Sequence, residues 1–218
     1  MKFIFKWLFR LGLLAILLVV VLVLSLDTIL RVVAQHNIRT QTGMDAEIGS
    51  FHLGLVEPVV HLENLRIHNP PDFGGTLFLN IPEIHAEYDR TALAKGKIHV
   101  TLLRFNLGEV DIVRNEQGRT NLFALGVALP AKPPANRAAT AEFQHRTGLN
   151  FQQIDVLNIS VGTMKFIDLK DQRNNRGQKL GIENFVVKNV TNTANLAGLA
   201  TLVALRGGDF FGRPGGWQ

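Results

Sequence analysis

The chain has 218 residues, a formal net charge of +5 and no cysteine. Without cysteine it can form no disulfide, use no thiol nucleophile and hold no cysteine-ligated metal. The excess positive charge comes mainly from Lys2, Lys6 and Arg10, because the rest of the chain holds 20 Lys and Arg residues against 18 Asp and Glu. Nucleic-acid binding needs clustered cations, and the remainder has no such cluster, so nucleic acid is not expected as a partner.

An uncharged apolar segment, Leu11 to Leu26, follows these three cations. As a helix it would rise about 24 Å, which can cross a bilayer when the flanking cations snorkel. Since the cations precede the segment, the positive-inside rule predicts a cytoplasmic N-terminus. We therefore expect a basic cytoplasmic stub and transmembrane anchor over residues 1–27, with the bulk of the chain in the periplasm.

A cleaved signal peptide is the alternative interpretation of the same segment. The sequence Val23-Leu24-Ser25 is its only approximation to a cleavage site. The chain then continues into a helical pattern, in which Ile29, Leu30, Val32 and Val33 fall on one face. The uncleaved anchor, followed by a juxtamembrane helix over 28–42, is therefore favoured.

The remaining chain divides by composition into two strand-rich parts and two irregular ones. Alternating apolar residues predict the two parts of one β domain over residues 43–126 and 150–206. Residues 127–149 are rich in Pro and Ala and predict a flexible loop, and the Gly-rich residues 207–218 predict a disordered tail. Within the β domain, Gly108 is expected to separate two strands, and Pro82 is expected to mark an edge strand or a bulge.

Two long segments repeat each other position for position. Val100–Val113 reads VTLLRFNLGEVDIV and Ile154–Ile167 reads IDVLNISVGTMKFI, with Gly108 aligned to Gly162. In both copies the apolar alternation changes phase at the same place, between residues 102 and 103 in the first. A phase change in a period-two pattern requires a bulge or kink. Leu62–Asn69 and Ile182–Asn189 form a second, shorter pair that shares Glu-Asn and a final Asn.

These patterns predict a mainly β fold, in which an elongated, curved antiparallel sheet forms a groove flanked by short helices. Alternation gives the sheet one apolar and one polar face. The apolar face requires a cover, and the short helices expected at 28–41 and 196–205 look insufficient to cover every strand.

In this order of segments the chain resembles the AsmA-like family of bacterial envelope proteins. The resemblance rests on the N-terminal anchor, on LENLRIHNPPDF (Leu62–Phe73), on LNIPEIHAEYD (Leu79–Asp89) and on FNLGEVDIVRNEQGRTNL (Phe105–Leu122). It implies a single inner-membrane anchor and a periplasmic β-groove, similar to the repeating-β-groove lipid-transfer proteins that shield acyl chains. The chain is short for that family, so a role in bridging the envelope is not implied.

No pattern indicates catalysis, a cofactor or a metal site. The seven histidines include no H-x-H or H-x3-H pair. Five of them lie in strand-like segments and are interpreted as exposed or interfacial strand residues, namely His52, His61, His68, His85 and His99. The stretch Asp168–Gly177 fails the spacing of a calcium loop and is interpreted as a polar hairpin turn. The carboxylate pairs Glu83/Glu87 and Glu109/Asp111 are assigned to a solvated face. The sequence therefore predicts a protein that is not an enzyme.

The leading functional hypothesis is a membrane-anchored envelope protein that binds or shields lipid acyl chains and so supports outer-membrane biogenesis or lipid homeostasis. Its candidate groove residues are the apolar repeat positions Val100, Leu103, Phe105, Leu107, Val110, Ile112, Leu157, Ile159, Val161, Met164 and Phe166. The same residues are equally consistent with a closed core. The alternative function is a periplasmic scaffold that packs its apolar face or a sheet edge on an envelope protein. A LEA-like closed β-sandwich, whose core holds no ligand, is compatible with this alternative.

Overall fold

A computed structural model describes residues 25–54, 57–124, 144–145 and 147–207. The strands are β1 (Asp45–Glu47), β2 (Ser50–Leu53), β3 (Val59–His68), β4 (Leu77–Tyr88), β5 (Lys97–Arg114), β6 (Asn150–Asp168) and β7 (Arg176–Val190). The helices are α1 (25–42), α2 (Arg90–Ala94), α3 (Asn121–Ala124) and α4 (Ala197–Gly207), with 3-10 turns at Pro71–Phe73, Gln172–Asn174 and Thr193–Leu196. Helix α1 covers the region where the sequence predicts the juxtamembrane helix.

All seven strands form one open, curved sheet, which confirms the predicted mainly β fold. Its order is β1-β3-β4-β5-β6-β7, and β2 lies beside β1 along the same edge of β3. The expectation of a purely antiparallel sheet is wrong, because β5 and β6 run parallel. A parallel pair needs a long crossover connection, and residues 115–149 supply one.

In this parallel pair, the two copies of the sequence repeat pair with each other in register. Val100 lies opposite Ile154, and the ladder continues with the same offset to Val113 opposite Ile167. The two copies therefore lie side by side, each residue beside its equivalent. The expected division of the first copy into two strands at Gly108 is wrong, since β5 is continuous from Lys97 to Arg114.

The bulge predicted from the phase change is present beside β4. Tyr88 pairs with Val100 and Glu87 pairs with Leu102, so Thr101 is an extra residue in β5. Such a bulge turns the following side chains to the opposite faces. The β5–β6 ladder keeps its register through this point, because both strands of the repeat change phase together.

A second irregularity, which we call the crease, crosses the sheet at Gly49, Asn64, Pro82, Gly108 and Gly162. Asn64 and Pro82 face each other at an interruption of the β3–β4 ladder. A Cβ atom on Gly108 would lie 3.1 Å from Cγ of Pro82, and one on Gly162 would collide with the carbonyl oxygen of Gly108. The backbones of β5 and β6 thus approach too closely for a side chain at Gly162, and the space at Gly108 is narrowed by the ring of Pro82 on β4. Pro82 marks this crease inside a central strand.

The crease changes which residues face the core. Apolar residues three apart flank it on β3 and β4, Leu62 with Leu65 and Ile81 with Ile84, and both members of each pair pack in one cluster. Strict alternation would send residues three apart to opposite faces. The crease therefore keeps the apolar face continuous along the strands.

The shorter repeat also has a backbone explanation. Asn64 and Asn184, the Asn of the shared Glu-Asn, have φ of 53° and 49°. Asparagine adopts this left-handed conformation more readily than other residues with side chains. Each Asn marks the point where its strand, β3 or β7, departs from regular pairing.

Several predictions concern residues that the structure does not describe. Residues 1–24 of the predicted anchor, with Lys2, Lys6 and Arg10, lie outside the described residues, as do positions 127–143 of the Pro/Ala-rich loop and residues 208–218 of the predicted tail. Among the described residues, no helix combines the length and the apolar character needed to span a bilayer.

The crease yields a stability prediction. Gly162→Ala places a methyl group against the carbonyl oxygen of Gly108, which must separate β5 from β6. We expect the free energy of unfolding to fall by about 1–3 kcal/mol, the usual cost of overpacking. Chemical denaturation followed by far-UV circular dichroism measures the change.

Gly177→Ala on β7 is the matched control. A Cβ atom there would meet its nearest neighbour, Cγ of Lys165, at an ordinary 3.7 Å. We expect its unfolding free energy to stay within about 1 kcal/mol of the unmodified chain. Equal effects of the two substitutions would contradict the close approach at Gly162.

Candidate functional site

Cross-strand pairing sets apolar side chains in rows on one face of the sheet. One row contains Leu62, Ile84, Phe105, Ile159 and Phe185, each opposite the next on strands β3 to β7. Directly paired residues project from the same face. The row is therefore a continuous line of apolar side chains across five strands.

Two helices cover the ends of this apolar face. Ala34 and Ile38 of α1 pack against the cluster of Ile48, Leu65 and Ile81. At the other end, Leu199 and Leu202 are among the α4 residues that pack on the cluster of Leu157, Ile159, Val161, Leu180, Ile182 and Val190. Each end of the sheet thus has its own core and its own helix.

The β5 residues Phe105 and Leu107 lie between these two cores. They contact both clusters, yet each remains only half-buried. Leu103 is likewise half-buried and contacts the α4-side cluster. The centre of the apolar face is therefore less covered than its ends, and we call Leu103, Phe105 and Leu107 the central strip.

The predicted groove residues divide into two groups by burial. Leu157, Ile159, Val161, Ile112 and Phe166 are buried, the first three beneath α4. The half-buried group is Val100, Leu103, Phe105, Leu107, Val110 and Met164. The second copy of the repeat thus contributes mainly to a closed core, and the first copy supplies the more accessible surface.

The opposite, polar face brings together histidines that are far apart in sequence. His61 on β3 lies directly opposite His85 on β4, with their Nδ1 atoms 3.2 Å apart. The Nε2 atom of His61 is 3.0 Å from Oε1 of Glu63, and that of His85 is 3.2 Å from Oε1 of Glu87. Hydrogen bonds from His61 and Ser50 lower the pKa of Glu63.

Glu83 completes this group, because one of its oxygens lies within 4.8 Å of a ring nitrogen of each histidine. Its Oε1 also accepts a hydrogen bond of 2.9 Å from Arg104. The spacing of histidines along the sequence does not reveal this cluster, because its members lie on two different strands. The alignment of His61 with His85 could have been found only by fixing the register of the β3–β4 pair.

A buried polar network lies at the far end of β5. The side chain of Asn121 is fully buried, and its Nδ2 donates to Oδ1 of Asn69 at 2.8 Å and to the carbonyl of Asp111 at 2.9 Å. Its Oδ1 accepts from the backbone amide of Val113. Asn69 and Asn121 belong to two of the segments that carry the family resemblance, and here they act as structural links between the β3–β4 turn and β5.

Asp168 closes the β6–β7 turn in a similar way. Burial would raise the pKa of its carboxyl, but hydrogen bonds from Arg114, Asn174 and the amides of Asp171 and Lys170 outweigh that effect and lower the pKa to about 2. The turn following Asp168 is thus a structural hairpin, held by a carboxylate that bonds to protein groups.

Asp111 does not lie on a solvated face as expected. Its side chain is buried, and its Oδ1 has no hydrogen-bond partner among the described residues. Burial and the nearby charge of Glu109 raise the pKa of Asp111 to about 6. Glu109 instead forms an ion pair with Lys165, at 2.7 Å between Nζ and Oε1. The two carboxyls of this pair therefore have different environments.

Comparisons with protein-family models, with curated proteins and with solved structures give no match. The geometry of the two faces therefore carries the functional argument, and the AsmA-like resemblance stays a prediction from the sequence.

The raised pKa of Asp111 gives a pH-dependent stability. The unfolded carboxyl titrates near pH 3.8 and the folded one near 6, so between these values the folded chain binds more protons and its stability falls as pH rises. Asp111→Asn should remove this contribution and raise the free energy of unfolding at pH 8 by about 1–2 kcal/mol. Denaturation at pH 4, 6 and 8 measures it.

Asp45→Asn is the control for this series. Asp45 is exposed and its partner is the exposed Arg39, so its removal should change stability by under about 1 kcal/mol at each pH. If the free energy of unfolding of Asp111→Asn changes with pH in the same way as that of the unmodified chain, Asp111 is not the group responsible for the pH dependence.

Proposed function

We propose that this chain is a membrane-anchored envelope protein whose apolar sheet face binds a lipid acyl chain along the central strip. The observation that carries the proposal is the position of Phe105 and Leu107, half-buried between two helix-covered cores. An apolar surface of this kind, bordered on both sides, suits an elongated apolar ligand.

The exposed surface of α1 supports an orientation next to a membrane. Ile29, Val32 and Val33 are 49%, 55% and 48% exposed. They lie on the helix that continues from the uncharged apolar segment of the sequence. Large apolar side chains exposed together on one helix favour contact with lipid or protein. The acyl-chain site would then lie beside the membrane surface.

The size of the sheet limits the role. At about 4.8 Å between neighbouring strands, the six strands of the sheet path span roughly 24 Å. A surface of this width can shield the tails of a single lipid. We therefore propose lipid holding or local presentation at the inner membrane, and transfer across the whole envelope would need additional subunits.

A lipid with a photoactivatable acyl chain tests the proposal in full-length protein reconstituted into phospholipid vesicles. After illumination, mass spectrometry should find labelled residues in the central strip Leu103–Leu107. Val186, which is 48% exposed and projects from the opposite face of the sheet, should remain unlabelled. Labelling confined to α1 and the preceding apolar segment would mean that no acyl chain enters the sheet face.

A pair of substitutions separates binding from folding. Phe105→Asp introduces a charge into the strip and should reduce labelling of Leu103 and Leu107 several-fold, because an acyl chain cannot solvate a carboxylate. Val186→Asp on the polar face is the matched control and should leave the labelling unchanged. Far-UV circular dichroism of both variants confirms that the sheet is intact.

A scaffold function is the second candidate, and the exposed edge of β7 favours it. β7 has 15 residues and ends the sheet path, so a partner strand could add there. However, Gly181, Asn184 and Asn189 have left-handed backbone conformations, and Arg206 of α4 donates to the carbonyl of Leu180. These features break the edge into short pieces. The acyl-chain site is therefore the better supported function.

A further inference from the structure

We propose that the polar face of the sheet binds one Zn²⁺ ion through Nδ1 of His61, Nδ1 of His85 and a carboxylate oxygen of Glu83. This site lies on the opposite face from the central strip, and it does not depend on the proposed lipid function. We call these three residues the His-His-Glu site.

The hydrogen bonds of the two histidines set which nitrogen of each carries the proton. Nε2 of His61 faces the carboxylate of Glu63, and Nε2 of His85 faces that of Glu87. A carboxylate accepts hydrogen bonds, so in the neutral imidazoles the proton lies on Nε2. The two Nδ1 atoms then present lone pairs to each other at 3.2 Å. Two lone pairs repel at this distance unless a positive centre lies between them, which is either a proton carried by one Nδ1 or a metal ion.

The spacing fits a metal ion as that positive centre. Zn–N bonds of about 2.0–2.1 Å in a tetrahedral site place two ligand nitrogens about 3.3 Å apart, close to the distance between the Nδ1 atoms of His61 and His85. Glu83 brings a carboxylate oxygen to within 4.8 Å of a ring nitrogen of each histidine. Three protein ligands leave the fourth tetrahedral position for water.

The surroundings match those of known zinc ligands. Metal-bound histidines usually donate their second ring N–H to a carboxylate, which orients the ring and makes the ligand nitrogen more basic. Glu63 and Glu87 occupy this position for His61 and His85. Imidazole nitrogen with carboxylate oxygen is a donor set that Zn²⁺ accepts readily. The site also carries negative charge from three glutamates, with Arg104 as a nearby cation.

The neighbouring histidines are engaged elsewhere. His52 lies opposite His61 on β2, but its Nδ1 is 3.0 Å from the carboxylate of Asp27. His99 on β5 bonds through Nε2 to Asp155 at 2.9 Å. Among the described residues, His61, Glu83 and His85 are the group that brings three potential ligand atoms within 4.8 Å of one another, so we expect the metal to bind there in preference to other described histidines.

The first experiment uses the full-length, tag-free chain in detergent, stripped with a chelator and titrated with Zn²⁺ at pH 7.5. Isothermal titration calorimetry should give one ion per chain. Co²⁺ as a spectroscopic substitute should give the intense visible absorption of a tetrahedral site. Failure to bind either ion, or binding without that absorption, would overturn the proposal.

Two variants locate the ion. His85→Gln keeps a polar side chain of similar length but removes Nδ1, and should lower Zn²⁺ affinity at least 10-fold. Glu87→Gln leaves all three ligands in place and removes only the carboxylate behind His85; it should weaken binding by about 10-fold. His52→Gln is the matched control and should leave binding unchanged. Equal loss in all three variants, or none in His85→Gln, would contradict this site.

A thermal measurement keeps the test independent of how well each variant folds. Excess Zn²⁺ should raise the melting temperature of the unmodified chain, since a ligand that binds only the folded state stabilises it. The increase should disappear in His85→Gln and persist in His52→Gln. An increase of the same size in His85→Gln would show that the ion binds elsewhere.

Discussion

The parallel, in-register contact between β5 and β6 is the constraint on which the rest of the structure depends. Each residue of Val100–Val113 lies beside its equivalent in Ile154–Ile167, and the backbone of Gly108 comes so close to Gly162 that a Cβ atom on Gly162 would collide with it. Because both strands change phase at the same positions, their irregularities reinforce each other. The crease then continues outward through Pro82 to Asn64, and the sheet bends as one unit.

The crease explains how strands of up to 19 residues keep two distinct faces. A long strand with strict alternation needs its apolar residues at every second position, and β3 and β4 depart from that pattern. At the crease the departure places residues three apart, such as Leu62 and Leu65, on the same face. The apolar face can therefore run the full length of the sheet, with α1 and α4 covering its two ends.

The repeat, the mainly β class, the bulge near residue 102 and the helix before residue 43 could all be predicted, because each leaves a local pattern in the sequence. The parallel direction of β5 and β6 was not predicted, although an in-register parallel pair produces a constant offset between two strand-like copies. The His-His-Glu site could not be found from spacing, since His61 and His85 become neighbours only through the β3–β4 register. The burial of Asp111 could not be predicted, because Glu109 and Asp111 are two residues apart, which is the ordinary spacing of polar residues on the solvated face of a strand.

Strands β3 and β4 connect the two proposed sites. Leu62 and Ile84 contribute to the apolar face, while His61 and His85, their immediate neighbours in sequence, project from the polar face. An ion held between His61 and His85 would join β3 to β4 by bonds other than the ladder hydrogen bonds, and would fix the spacing of Leu62 and Ile84 beside Phe105. A metal ion there would therefore cross-link the two strands that carry Leu62 and Ile84 of the apolar face, in addition to the backbone pairing that already joins them.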